Sequence, residues 1–266
     1  MVSTFVHPSA AARAGEASVL SATPDGQPLT LVFSDDFRAL QTQSGRGGLW
    51  RAAFEDRARP DPYALPRHRG LEHYADWVAE PRDPFAAAQG TLKVTAVQAS
   101  AEGRSAAGNY PYLSGLISTQ PSFSQTYGYF EMRAELPQGK GLWPAFWLLP
   151  QDQSWPPEID VVESIGDPSR VYMTAHSGVS RTVGIGARIT PSVAHTFAVS
   201  WDPRDLVWYI DGVAVGRAVT PDDMHKPMFM LANLAIGGTS PGAVDGPSRT
   251  PAALTIDHIR AYRFAR

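Results

Sequence analysis

Three acidic side chains lie within six residues of one another in the segment WPPEIDVVESIG, which covers residues 155–166. They are Glu158, Asp160 and Glu163, and β-branched residues fill the positions between them, as is typical of a strand. Crowded carboxyls drive their pKa values apart, so that one can stay protonated while another is ionised. An ionised nucleophile beside a protonated acid, about 5–5.5 Å apart, is what retaining glycoside hydrolysis requires. The segment therefore predicts an active site at these three acids.

The three acids can share one face of a strand only if that strand carries an extra residue. Glu158 and Asp160 face the same way in a regular strand, whereas Glu163, five positions after Glu158, faces the opposite way. A β-bulge at Val161–Val162 brings all three onto one side and leaves the apolar residues inside. Five residues rise about 16 Å in a straight strand, so the bulge, sheet curvature and long side chains must together close that gap.

Two other interpretations of the acids stay open. A solvated strand face with alternating acids needs no chemistry, but the sequence offers no nearby row of basic residues to pair with them. A metal site would combine the acids with His176, which lies in the segment MTAHSG on the next predicted strand. Against a metal, no H-x-H or H-x-x-x-H pair occurs, and hard cations prefer acids in a turn. We expect His176 either to lie beside the acids and influence their protonation or to be an ordinary structural residue.

Three tryptophans occur just upstream, in the run GKGLWPAFWLLPQDQSW that covers residues 139–155. They are Trp143, Trp147 and Trp155, and indole faces can stack on the apolar faces of sugar rings. Strand alternation places Trp143 and Trp147 on one face. They are therefore expected either to form a platform for sugars or to pack together inside the protein.

Most of the chain beyond Gly90 predicts strands. The segments 127–136 and 195–201 alternate with period two, and the segments 91–98, 228–236 and 254–264 are short and rich in β-forming residues. Asp211-Gly212 stands between two such runs and predicts a tight hairpin. No segment longer than about ten residues has a convincing helical period. The sequence therefore predicts an all-β sandwich of two antiparallel sheets in one domain.

Composition narrows the class of protein further. Hydrophobic residues make up 43% of the 266 residues, which is enough for a large core, and the formal net charge of -3 argues against nucleic acids or anionic membranes as partners. The chain has no cysteine and no apolar run of the ~20 residues needed to span a bilayer. Residues 1–28 are predicted to be a poorly ordered tail without the features of a signal peptide, and residues 38–89 to form long, ordered loops.

From about Leu29 to Phe264 the chain resembles glycoside hydrolase family 16, a β-jelly-roll family of retaining endo-glycanases. The matching segments follow in the family's order: YGYFEMRAELPQGKGLWPAFWLLP, EIDVVE, TAHSG, HTFAVSWDPRDLVWYIDG, LANLAIGG and IDHIRAY. The spacing of EIDVVE resembles the bulged branch of the family, which includes laminarinases. The resemblance implies a single catalytic domain over residues 29–266, with a concave cleft for the substrate.

The resemblance assigns a role to each acid of EIDVVE. Glu158 is expected to be the nucleophile, Glu163 the general acid/base, and Asp160 a partner that hydrogen-bonds the nucleophile. His176 matches a histidine close to the acid/base. The other residues expected to bind substrate are Trp143, Trp147, Trp155, Asn109, Tyr112 and Asn233.

The resemblance also bears on cofactors, partners and location. Members of the family often hold one structural calcium through the aspartate of the closing strand, here Asp257, while their chemistry needs no cofactor. The expected protein is a secreted or periplasmic monomer that acts on a polysaccharide, and neither a nucleic acid nor a membrane is an expected partner. β-1,3-Glucan, mixed-linkage glucan and a succinoglycan-like exopolysaccharide are alternative substrates, and the arginine-rich segment 51–70 would suit a carboxylated polymer. A non-catalytic polysaccharide-binding protein and a transglycosylase are the alternative functions.

Overall fold

The computed structural model describes residues 18–42, 48–55, 70–75, 84–106, 108–244 and 250–265. These ranges contain mainly strands, with one short α-helix and one turn of 3₁₀ helix at Asp222–Met224. In chain order the strands and the helix are β1 (Leu29–Asp35), β2 (Glu72–Tyr74), β3 (Phe85–Ala88), β4 (Thr91–Gln98), α1 (Ala101–Ala106), β5 (Tyr112–Ser114), β6 (Leu116–Ser118), β7 (Gly128–Glu135), β8 (Leu142–Pro150), β9 (Glu158–Glu163), β10 (Arg170–His176), β11 (Val183–Arg188), β12 (His195–Trp201), β13 (Asp205–Ile210), β14 (Val213–Val219), β15 (Met228–Ile236) and β16 (Ala252–Phe264). Within the described ranges, no helix is long and apolar enough to cross a membrane.

The strands form two sheets that pack face to face. The larger sheet has the order β14-β13-β12-β7-β16-β4-β5-β2, with β1 added on β16 and β3 on β4. The smaller sheet has the order β11-β10-β9-β8-β15-β6. Neighbouring strands are antiparallel, except that β2 and β5 run parallel. The predicted all-β sandwich of two sheets is confirmed, with this one pair as a departure from a purely antiparallel arrangement.

The core between the sheets follows the alternation seen in the sequence. Every second residue of β7 and β12 enters it, while the residues between them point away. The core-facing residues of these two strands are Phe130, Met132, Ala134, Phe197, Val199 and Trp201. The predicted hairpin is also confirmed: β13 and β14 meet at Asp211-Gly212, whose φ angles of 50° and 77° suit a tight two-residue turn.

The smaller sheet turns one face to the core and the other away from it. In β8, Phe146 and Leu148 lie in the core, while Trp143 and Trp147 lie on the other side. Because the three acids of β9 also lie on the side away from the core, we call this side of the smaller sheet the acid face.

One prediction about the first hundred residues was wrong where the structure describes them, and the predicted tail is described only over residues 18–28. The region predicted as loops contains β2 and β3, which are short and pair with β5 and β4; their three or four residues are too few to show a period. In the predicted tail, Ala22 pairs with Pro28, Thr23 is buried, and the Leu20 amide donates to the Tyr262 hydroxyl at 3.4 Å. Residues 18–28 therefore pack on the larger sheet; residues 1–17 and most of the arginine-rich segment 51–70 lie outside the described residues.

Candidate active site

The three acids lie on β9, between β8 and β10 in the smaller sheet. The pairing of β9 is irregular on both sides, because Phe146 pairs with Val162 while Trp147 pairs with Asp160, so that Val161 is extra. The register with β10 shifts over the same stretch. Both Val161 and Val162 are buried in the core. The predicted bulge is therefore confirmed, and it places all three acids on the acid face.

Asp160 is the most deeply buried of the three acids, with 2% of its surface exposed. Burial, and then the charges of Glu163 and Glu158, raise the pKa of Asp160 well above its ordinary value, so its neutral form is favoured. A side-chain hydrogen bond with Glu158 acts in the same direction, whereas one from Thr174 lowers the pKa. Within the described ranges the Asp160 Oδ2 atom has no hydrogen-bond partner, although His176 Nε2 lies 3.3 Å from it.

Glu163 lies at the end of β9 and pairs with Ala145 on one side and Tyr172 on the other. Its carboxylate oxygen Oε1 accepts a hydrogen bond of 2.8 Å from Trp143 Nε1. Burial, and then the charge of Glu158, raise the pKa of Glu163 to about 7, while the bond from Trp143 lowers it. Near neutral pH this carboxyl can therefore hold or release a proton, as a general acid/base must.

Glu158 lies at the start of β9, and its side chain is more accessible than that of Asp160. Trp155 Nε1 donates a hydrogen bond of 2.8 Å to its Oε2 atom, and the indole of Trp155 is 43% exposed. His176 pairs with Glu158 in the antiparallel register, and its Nε2 atom lies 3.8 Å from Glu158 Oε1. His176 therefore lies beside the acids, as one of its two interpretations predicted, but against Glu158 and Asp160 rather than beside Glu163.

Trp147 and Asn233 are buried side chains on the same side of the smaller sheet as the acids. Only 7% of Trp147 is exposed, and its ring packs edge-on against Phe54 at 5.6 Å between ring centres. Its Nε1 atom donates to Asn233 Oδ1 at 2.8 Å, and Asn233 Nδ2 donates to the Tyr74 hydroxyl at 3.0 Å. Trp147 is therefore buried among neighbours on the acid face, and its role in binding sugars stays a prediction. Phe54 and Tyr74 were not singled out in the sequence, because their contacts join segments far apart in the chain.

Comparison of the chain with known proteins identifies its family. The sequence profile of the glycosyl hydrolases family 16 matches residues 75–259, a range that contains all three acids and both of the tryptophans bonded to them. The chain belongs to this family.

Two relatives from Rhizobium meliloti (strain 1021) match nearly the whole chain. The endo-1,3-1,4-beta-glycanase EglC is 42% identical over 255 residues, which cover 92% of this chain and 54% of that protein. The endo-1,3-1,4-beta-glycanase ExsH is 42% identical over 247 residues, which cover 90% of this chain and 52% of that protein. The chain thus spans about half the length of these two relatives. Among solved structures, the laminarinase from Rhodothermus marinus has a TM-score of 0.75 at 28% identity and covers 90% of this chain and 99% of its own.

Two residues expected to bind substrate in this family 16 chain lie on the larger sheet or next to it. Tyr112 opens β5, is half-buried and packs against the core. Asn109 is exposed in the turn before β5, with a φ of 71°, and its backbone N–H donates to the backbone carbonyl of Arg104. Neither makes a described contact with the acids of β9, so their binding role stays a prediction.

The expected calcium ligand of the family, Asp257, lies in β16. Its Oδ2 atom accepts a hydrogen bond of 3.0 Å from Arg133 Nε, and the two side chains form an ion pair. In the described part of the chain, no cluster of three acidic or histidine ligands includes Asp257. The guanidinium of Arg133 is thus the partner that the structure gives this carboxylate, and calcium at Asp257 stays a prediction.

The metal interpretation of the acids has a geometric basis in three of the side chains. One ligand atom from each of Glu158, Asp160 and His176 lies within 4.8 Å of the other two. Glu163 is not part of this group.

Proposed function

We propose that this chain is a retaining endo-β-glycanase that hydrolyses internal linkages of a β-glucan-type polysaccharide. The observation that carries the proposal is the pair of glutamates on one face of the bulged strand β9. Glu163 is held near its protonated form by burial and by the charge of Glu158, while Glu158 accepts a hydrogen bond from Trp155. This is the division between a general acid and a nucleophile that glycoside hydrolysis with retention needs.

In the first step, Glu158 attacks the anomeric carbon while Glu163 gives its proton to the oxygen of the leaving sugar. The glycosidic C–O bond breaks, and a covalent glycosyl ester forms on Glu158. In the second step, the ionised Glu163 takes a proton from a water molecule, which attacks the anomeric carbon and releases Glu158. Two inversions leave the product with the β-configuration of the substrate.

Asp160 and His176 adjust the nucleophile in this proposal. Because the neutral form of Asp160 is favoured, its carboxyl can donate a hydrogen bond to Glu158. Such a bond would hold the carboxylate of Glu158 in position for its attack on the anomeric carbon. His176, 3.3 Å from Asp160 Oδ2, borders the same pair and helps to hold Asp160 in place.

A β-1,3- or mixed-linkage glucan, or a related exopolysaccharide, is the proposed substrate. Support comes from the names of the two Rhizobium meliloti relatives, which are endo-1,3-1,4-beta-glycanases, and from the likeness to a laminarinase. Trp143 and Trp155 would contact the sugars on either side of the cleaved bond, because each is bonded to one of the two glutamates.

Location, oligomeric state and cofactors complete the proposal. A polysaccharide substrate is encountered outside the cytoplasm. We therefore propose that the enzyme acts in the periplasm or outside the cell, as a monomer. The two-step mechanism uses only protons and carboxylates, so it requires no metal. Dialysis against a chelator is expected to leave the rate of polymer cleavage unchanged.

The deciding experiment is product analysis on laminarin, barley mixed-linkage glucan and succinoglycan. Oligosaccharides released from the interior of one polymer, with β-anomers appearing first by NMR, would support the proposal and identify the substrate. Products longer than the substrate would indicate a transglycosylase. Tight binding to one polymer without any cleavage would indicate a binding protein.

Variants of the two glutamates test their roles separately. Glu158→Gln and Glu163→Gln are each expected to lower the rate of polymer cleavage by several orders of magnitude, as is usual when one member of a catalytic unit is removed. With an activated aryl glycoside and azide, Glu163→Ala should give the β-glycosyl azide and Glu158→Ala the α-glycosyl azide. Full activity in either Gln variant, or the opposite anomers, would overturn the assignment.

A further inference from the structure

We propose that Trp208 is a positioning residue for the acids of β9, because its indole N–H holds the backbone of Asp160 and so determines where the bulge lies. The inference rests on the proposed function for its effect on catalysis. Trp208 belongs to β13 of the larger sheet, on the opposite side of the core from the acid face, and is fully buried. It therefore acts through the backbone and touches no reacting atom.

The contact crosses the core between the two sheets. Trp208 Nε1 donates a hydrogen bond of 2.9 Å to the backbone carbonyl oxygen of Asp160. A strand carbonyl ordinarily points within its own sheet toward the next strand. Here the donor comes from the facing sheet, at the stretch where the pairing of β9 shifts on both sides.

Apolar burial alone does not determine which residue of β9 is extra. Val161 and Val162 are alike in type, and both are buried in the core. A bulge that begins one residue earlier or later would move the Glu163 carboxyl relative to Glu158. The bond from Trp208 makes Asp160 the last regular residue before the bulge, because any other register would leave a buried carbonyl without this donor.

The simpler alternative is that Trp208 only fills the core and satisfies a carbonyl. The chain offers a matched comparison in Trp201, which is also fully buried and lies in the same core cluster. In the part of the chain that the structure describes, the Nε1 atom of Trp201 has no hydrogen-bond partner. Replacement of either tryptophan by phenylalanine removes the same volume from the same core, but only Trp208→Phe removes a hydrogen bond to β9.

The experiment compares Trp208→Phe with Trp201→Phe in two measurements. Hydrogen exchange of the amides of residues 158–163 needs no substrate, and we expect it to be faster in Trp208→Phe than in Trp201→Phe. On the polymer that the wild type cleaves, we expect kcat of Trp208→Phe to fall about 10- to 100-fold, since a displacement of about 1 Å at reacting groups has effects of that size. We expect KM to stay within about twofold, and kcat of Trp201→Phe to stay close to the wild-type value.

A third variant separates the N–H group from the shape of the ring. Benzothienylalanine at position 208 keeps the size of the indole and lacks the donor, so it should reproduce the loss of kcat even if Trp208→Phe folds poorly. Equal exchange in the two Phe variants, or an unchanged kcat with benzothienylalanine, would overturn the proposal. An inactive wild type would count against the proposed function instead, while the exchange comparison would still test the positioning role.

Discussion

At the scale of single residues, opposing influences on Glu163 determine when it can act as an acid. Burial and the charge of Glu158 raise the pKa of Glu163 to about 7, and the hydrogen bond from Trp143 Nε1 lowers it, because that bond favours the ionised carboxylate. An acid must be protonated to donate, so kcat/KM should fall as the pH rises through the pKa of Glu163.

Trp143→Phe is therefore expected to shift this fall to higher pH. The change removes the N–H donor but keeps an aromatic face, so the pKa of Glu163 rises and the basic limb of the kcat/KM profile moves up by roughly one pH unit. The measurement is a pH profile on a short soluble glucan. Trp155→Phe is the control, because it removes the donor to Glu158 instead and should not produce the same shift. A basic limb that does not move in Trp143→Phe would mean that this bond does not govern the protonation of Glu163.

At the scale of elements, the bulge in β9 makes a prediction about two neighbouring valines. In a regular strand one of them would face away from the core, whereas here Val161 and Val162 are both buried. Val161→Ala and Val162→Ala should therefore each lower the free energy of unfolding by about 1–3 kcal/mol. Urea denaturation measures this, with Val219→Ala as the control, since Val219 is 77% exposed and should change stability by less than about 0.5 kcal/mol. A cost at only one of the two core positions would contradict the bulge.

Elements also show which parts of the fold could be predicted from the sequence. The alternation of β7 and the turn at Asp211-Gly212 depend on neighbours in the chain, and the spacing of the three acids required a bulge if they were to share one face, so the local pattern of residues was enough to predict all three. The short strand β2 was missed because its partner, β5, lies far along the chain, and β3 was missed because its four residues are too few to show a period, although its partner β4 follows directly.

The same distinction holds within the site. The acids were found from their spacing, and a place beside them was one of the two interpretations of His176, because it lies on the adjacent strand. The bonds from Asn233 to Tyr74 and from Trp208 to Asp160 span 159 and 48 residues of chain. No periodicity links such positions, so the residues that support the acids became evident only in the folded structure.

At the scale of the whole molecule, a buried acid joins the two sheets at one edge of the sandwich. Glu72 lies on β2 of the larger sheet and is 1% exposed, and its Oε2 atom accepts a hydrogen bond of 2.8 Å from the amide of Ile236 at the end of β15 in the smaller sheet. The Ser114 hydroxyl donates to the Leu234 carbonyl beside it. Among the described residues Glu72 Oε1 has no hydrogen-bond partner, so an ionised Glu72 would keep a charge partly unsatisfied inside the protein.

The buried carboxyl of Glu72 should make the free energy of unfolding fall as the pH rises. Burial raises the pKa of Glu72 from 4.5 to about 7 in the folded protein, so its contribution is fully present below about pH 4.5 and is lost as the pH rises through 7. The shift corresponds to at most about 3 kcal/mol.

Glu72→Gln keeps an oxygen for the Ile236 amide and cannot ionise, so its stability relative to the wild type should improve between pH 5 and pH 8. Urea denaturation at the two pH values measures this change, and the other buried acids cancel because both proteins contain them. Glu135→Gln, at an exposed position of β7, controls for the loss of one negative charge. If the free energy of unfolding falls equally in Glu72→Gln and in the wild type between pH 5 and pH 8, Glu72 is not the group that makes stability depend on pH.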